Sequence, residues 1–200
     1  MLGVSAIAMT IVCIIWMVYV YGYGRINSIS QTATTGNQIG FVLPIKCGMV
    51  VLFALTYVGY TWPERVVVYA IAVGMLLLSM HPCSSRFVTE ELVGLLKVTP
   101  ELSAKIHNTG AVLAFSAMTV WVGVFFTKRD KSAEITPEKY RRNIIYFACA
   151  GIMAVCCVFI GIGSFIKFGP YYVLIFEAAI LIALGCACIV KSGIILGDKK

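Results

Sequence analysis

The sequence predicts an all-α, polytopic membrane protein: one domain, 1–200, folded as a six-transmembrane-helix bundle with both termini cytoplasmic. Three observations carry this. Hydrophobic residues make up 60% of the chain and charged residues only 12%, and the mean hydropathy is +0.92. A soluble domain of 200 residues has too high a surface-to-volume ratio to hide that much apolar surface. The apolar residues also fall into six runs, 2–23, 39–61, 62–80, 109–127, 143–165 and 170–196. Each is near the ~20 residues that a helix needs to cross a bilayer. Finally, the basic residues gather in the connections between the runs, which is how a membrane chain sets its orientation. The same composition excludes a disordered segment and a disulfide-stapled secreted module.

Each run has its own start signals. The first has no basic residue before Arg25 and no small-residue cleavage site after it, so it reads as an anchor rather than a signal peptide. Thr61-Trp62-Pro63-Glu64 carries the Thr-x-x-Glu pattern of a capping box, so the third helix should begin almost where the second ends. Thr89-Glu90-Glu91-Leu92 opens an amphipathic stretch, 89–97, expected to lie at the membrane interface. Thr99-Pro100-Glu101 and Thr136-Pro137-Glu138 each place a capping threonine before a proline at the first helical position. Helices four and five should therefore start outside the hydrocarbon and run into it. Small residues at four-residue spacing, Ala150/Ala154 and Ala179/Ala183/Ala187, would let helices five and six pack closely.

Six spans put the two termini on one side. That side holds Arg65, Lys128, Arg129, Lys131, Lys139, Arg141, Arg142, Lys191, Lys199 and Lys200, against Arg25, Arg86, Lys97, Lys105 and Lys167 on the other. The heavier side is cytoplasmic, and the location expected is the plasma (inner) membrane. Tyr19, Tyr21, Tyr23, Phe165, Tyr171 and Tyr172 would form the outer aromatic belt, and Tyr60, Trp62, Trp121, Phe125 and Tyr140 the inner one. The net charge of +7 belongs to this topology and to anionic lipid, not to nucleic acid.

Chemistry-bearing residues are few. Seven of the eight cysteines lie in apolar runs and no Cys-x-x-Cys occurs; Cys156-Cys157 and Cys186-Ala-Cys188 are weak signals, and nothing in the sequence supports a Cys47–Cys83 bridge. No metal site and no cofactor are expected. Two ionisable residues fall at membrane depth, where charge is costly. Lys46 is seven residues into the second run and Glu177 seven into the sixth, so both sit ~10 Å below the outer face. His107 and Asn108 open the fourth span at the same end, with His81, Glu90, Glu91 and Glu101 nearby. The candidate ligand-binding residues are thus Lys46, His107, Asn108 and Glu177, and the only catalytic candidates are His107 and Glu177 as an acid/base pair. No nucleophile, Gly-x-Ser-x-Gly elbow or phosphate-binding loop accompanies them.

Several stretches together resemble a family of uncharacterised bacterial six-span membrane proteins. They are Ser28-Ile29-Ser30-Gln31-Thr32, the run from Leu95 to Asn108, Arg142-Asn143-Ile144-Ile145-Tyr146, and Phe176-Glu177-Ala178 through Gly193. His107-Asn108-Thr109-Gly110-Ala111, with Glu177 in the last span, gives a more distant likeness. It is to the six-span damage-regulated autophagy modulators and GPI-anchor remodelling proteins. The resemblance implies a shared six-helix bundle in a bacterial plasma membrane and supplies no reaction.

The function expected is therefore an outward-facing polar site for a lipid or amphiphile, without catalysis. Lys46 would meet an anionic headgroup, and Glu177 would hold Lys46 or a cationic group. One alternative is a lipid-modifying enzyme using His107 and Glu177; another is a small channel or transporter with a pathway through Lys46 and Glu177. Membrane lipids are the expected partners, with a homo-oligomer as the further option.

Overall fold

Lipid offers no partner for backbone N–H and C=O groups, so an apolar run closes its hydrogen bonds within itself as a helix. The computed structural model describes residues 2–21, 27–34, 42–59, 61–85, 88–128, 136–163, 165–166 and 168–197. Its elements are α1 (Leu2–Tyr21), a 3₁₀ helix (Ile29–Thr34), α2 (Val42–Thr56), α3 (Trp62–Met80), α4 (Pro100–Val120), α5 (Pro137–Gly163) and α6 (Tyr172–Lys191). Between α4 and Phe126 a single π-helical turn, Trp121–Phe125, continues the helix. Among the described residues there is no strand, only an isolated bridge between Val93 and Val98. Four helices, α3, α4 with its π turn, α5 and α6, are long and apolar enough to cross a membrane. By length and composition the chain is a multipass helical membrane protein.

Neighbours in sequence are neighbours in space: α2 packs on α3, α3 on α4, α4 on α5 and α5 on α6. Among the described residues α1 also packs on α6, and the 3₁₀ helix seats against α1, α2 and α6. Glycine permits two of these contacts. A Cβ on Gly74 would lie 2.7 Å from the Gly110 carbonyl oxygen, and one on Gly3 would lie 2.5 Å from that of Gly185. The backbones of α3 and α4, and of α1 and α6, therefore approach more closely than any larger residue allows. The outward faces carry Val112, Phe147, Val155 and Val158, apolar surface suited to lipid rather than water.

The two Thr-Pro starts form as expected: the Thr99 hydroxyl accepts from the Leu102 N–H at 3.5 Å, and that of Thr136 from the Lys139 N–H at 3.1 Å. The capping box at Thr61 does not. Thr61 is the N-cap of α3 by position but its side chain makes no capping bond. Glu64 is instead buried and accepts from the Tyr57 hydroxyl at 2.5 Å. The 89–97 stretch is no helix either. Gly94 and Lys97 both have positive φ, and the Val93–Val98 bridge closes a turn that leaves Leu92, Leu95 and Leu96 exposed. Trp121 and Phe125 are buried and belong to the interior, not to an aromatic belt; Tyr19, Trp62, Tyr140 and Phe165 are exposed. Trp121 sits with Phe53, Tyr57, Phe126 and Tyr146 in one chain of ring contacts, which is why the sequence's aromatic count there does not mark an interface. Cys47 and Cys83 are both free thiols.

Candidate functional site

The polar residues gather at the end of the molecule where α3 stops and α4 and α6 begin. Glu177, one turn and a half into α6, is 7% exposed. A buried carboxylate has to be hydrogen-bonded, and the 27–34 segment supplies the donors. The Ile29 N–H donates to one carboxylate oxygen at 2.6 Å, and the Ser30 hydroxyl to the other at 3.1 Å. Ile29 opens a 3₁₀ helix, so its N–H has no acceptor within that helix and is available for this role. The segment is held down at two further points. Asn27 accepts from the Leu174 N–H at 3.0 Å, and the Gln31 amide donates to the Ser84 carbonyl at 3.3 Å.

His107 is anchored across the same end. Its Nδ1 lies 2.7 Å from the His81 carbonyl oxygen, so Nδ1 carries the proton and donates. The next residues of the α3–α4 connection are fixed by Ser103, whose hydroxyl donates to the Pro82 carbonyl at 2.9 Å. His81 is itself buried, and its ring Nδ1 has no hydrogen-bond partner. It packs against Gly94, where an added Cβ would sit 2.8 Å from that nitrogen.

These groups line one cavity of about 380 Å³. Its polar end is made by Ser28, Ser30, Cys83, His107, Asn108 and Glu177; its other wall is mostly apolar, Ala111, Val112, Phe115, Ile160 and Val173, with Ser116, Cys157 and Tyr172 among them. Asn108, Val112, Ser116 and Gly161 in its lining are all exposed, so the cavity opens sideways between α4 and α5. From Asn108 to Ser116 the opening runs ~12 Å along α4. His107, Asn108 and Glu177 thus share a single space. The side chain of Lys46, the fourth candidate, lies outside the described residues, and its position in α2 is all that is fixed.

Ser28, Ser30 and Cys83, beside Glu177 and His107 at the polar end, were not candidates from the sequence. The hydroxyl run Ser28-Ile29-Ser30-Gln31-Thr32 was the available signal for the first two. Cys83 had none, being a lone cysteine in a polar connection. Its thiol is within hydrogen-bonding reach of Ser28 and is pushed up to about 12, first by burial and then by the Glu177 charge. A thiol held protonated in this way is no nucleophile. Cys83 should therefore carry roughly a thousandfold less thiolate than an ordinary cysteine at pH 8, and the deficit should close only as pH nears 12. Peptide mapping after a timed maleimide pulse would show this; labelling of Cys83 as fast as a free thiol would contradict the buried placement. Among the described residues no group of three or more His, Cys, Asp or Glu could hold a metal ion. Comparison of the chain with family models, curated proteins and solved structures finds no match.

Proposed function

We propose that the chain is a six-span plasma-membrane protein, both termini cytoplasmic, that holds a lipid or other amphiphile at its outer side without transforming it. The observation that carries this is the shape and chemistry of the Glu177 cavity. It is polar at one end, apolar along its length, and open sideways between two lipid-facing helices. A headgroup would sit among Asn108, Ser28 and Glu177, and a chain would lie against Val112, Phe115 and Ile160. Glu177 is an acceptor, so the head that suits it carries N–H or O–H donors, as amine and polyol headgroups do.

Native mass spectrometry on the purified full chain, incubated with a lipid extract, tests this reading. Wild type should retain a defined lipid mass, and Asn108→Leu, exposed at the cavity mouth, should lose most of it while unfolding at the same temperature. Equal retention in Asn108→Leu and in Glu177→Gln would overturn the proposal. One observation favours a second, enzymatic reading: the His81 carbonyl fixes the His107 ring beside the same cavity. Conversion of the retained lipid, lost in His107→Ala, would put that reading first.

A further inference from the structure

A second cavity, about 720 Å³, lies at the opposite end of the helices, around Lys191. Its wall joins the end of α2 (Phe53, Tyr57) to the π turn (Trp121), to Phe126 and to the end of α6 (Cys188, Lys191). Two groups in it lack partners suited to them. Trp121 is 8% exposed, and its indole N–H, a donor only, has no hydrogen-bond partner. Leaving such a donor buried and unsatisfied is costly. Lys191 is exposed, and its ammonium stands 5.3 Å over the Phe126 ring without a hydrogen bond to any described residue.

The surrounding cations are already engaged. Lys139 donates to the Phe126 carbonyl at 3.0 Å, Arg142 to the Leu196 carbonyl at 2.7 Å, and Lys128 to the Thr61 hydroxyl at 3.5 Å. Glu64, the buried acid of this end, acts on Lys191 electrostatically but does not line the cavity, and its carboxylate takes the Tyr57 hydroxyl. Phe53, Trp121 and Cys188 also line a narrower apolar cavity of about 90 Å³, which runs on between α1, α3 and α6 past Met9, Met75 and Leu181. The arrangement is an exposed cation beside an apolar wall that leads to an apolar crevice.

We infer that this end binds a second ligand, an anionic amphiphile. Its carboxylate or phosphate meets the Lys191 ammonium, and its alkyl chain lies along the Phe53, Trp121 and Phe126 wall toward the apolar crevice. The π turn serves this placement: Phe126 N–H bonds to the Trp121 carbonyl at 3.2 Å across five residues, a local widening that helices commonly carry at functional positions. The site shares no residue with the Glu177 cavity.

The full chain in neutral detergent, titrated with oleate, phosphatidylglycerol or phosphatidylcholine and read by native mass spectrometry, tests it. Oleate or phosphatidylglycerol should be retained over phosphatidylcholine, and whichever of the two binds identifies the source of the anionic head. Lys191→Gln should weaken that retention by about tenfold and Trp121→Phe by a smaller factor, while Lys191→Arg keeps it. Asn108→Leu, which lines the outer cavity and neither the Lys191 cavity nor the crevice, should leave it intact, so failure here is separable from failure of the outer site. Lys191 is exposed at a helix end, so Lys191→Gln should fold normally, and an unchanged unfolding temperature would confirm that. Equal retention of phosphatidylcholine, or retention unmoved in both Lys191→Gln and Trp121→Phe, would overturn the inference.

Discussion

Replacing Gly74 with valine should force α3 away from α4 and cost at least about 3 kcal/mol. The reason is what surrounds it. A Cβ at this position would lie 2.7 Å from both the Gly110 carbonyl oxygen and the Ala114 nitrogen, and 2.8 Å from the Ala114 Cβ. Two of the three are backbone atoms, so relief requires moving a whole helix rather than a side-chain tip. The reverse substitution meets the same obstacle, since a Cβ on Gly110 would sit 2.8 Å from the Gly74 carbonyl oxygen. Gly48, in α2, is the control, because nothing lies within 4 Å of its added Cβ. Thermal unfolding in detergent should show a large drop for Gly74→Val and little change for Gly48→Ala. Matching midpoints for the two variants would mean that α3 and α4 do not cross at this glycine pair.

The second large effect is expected at Glu177. Alanine there removes the acceptor of both the Ile29 N–H and the Ser30 hydroxyl and leaves the first as an orphan donor. Losing both bonds and leaving a buried N–H without a partner should cost about 2 kcal/mol. It should appear first in the 27–34 segment, whose hold on α6 otherwise rests on the Leu174–Asn27 bond. Hydrogen exchange of peptides spanning 27–34 should speed up by about 30-fold in Glu177→Ala, as expected for local release of that size. Glu177→Gln keeps a carbonyl acceptor and should show a smaller change. Unaltered exchange in the alanine variant would detach the carboxylate from the job of holding this segment.

Much of this architecture was legible because the forces that build it act along the chain. Apolar runs gave the helices, and α3 matches its predicted run at both ends, 62–80. Thr99 and Thr136 announced their helix starts, because a capping hydroxyl and a following proline are local chemistry. The cavity's His107, Asn108 and Glu177 were legible for a related reason: each is a polar residue in the first turns of an apolar helix, and the two helices start at the same end of the molecule. What escaped was set by contacts between elements. Glu64 reads locally as a capping acid, and only the position of Tyr57 reveals it as a buried acceptor. Ala150, Ala183 and Ala187 are buried and α5 packs on α6, while Ala154 is exposed; the glycine contacts of α3 with α4 and of α1 with α6 pair one residue on each of two helices, which no spacing within one helix can show. The alternating hydroxyls of Ser28, Ser30 and Thr32 are visible in the sequence, but that Ser30 meets Glu177 follows from the fold alone.

The pairing of α1 with α6 has a consequence for biogenesis. These helices stand at opposite ends of the described chain but press backbone to backbone at Gly3 and Gly185. During synthesis α1 is therefore made well before its principal neighbour exists, and the acceptor for the Ile29 N–H arrives with that same late helix. Two distant loose ends are tied by one event, the arrival of α6. A nascent chain stalled before 172 would keep both undone, offering a membrane protease or chaperone a clear mark of incompleteness.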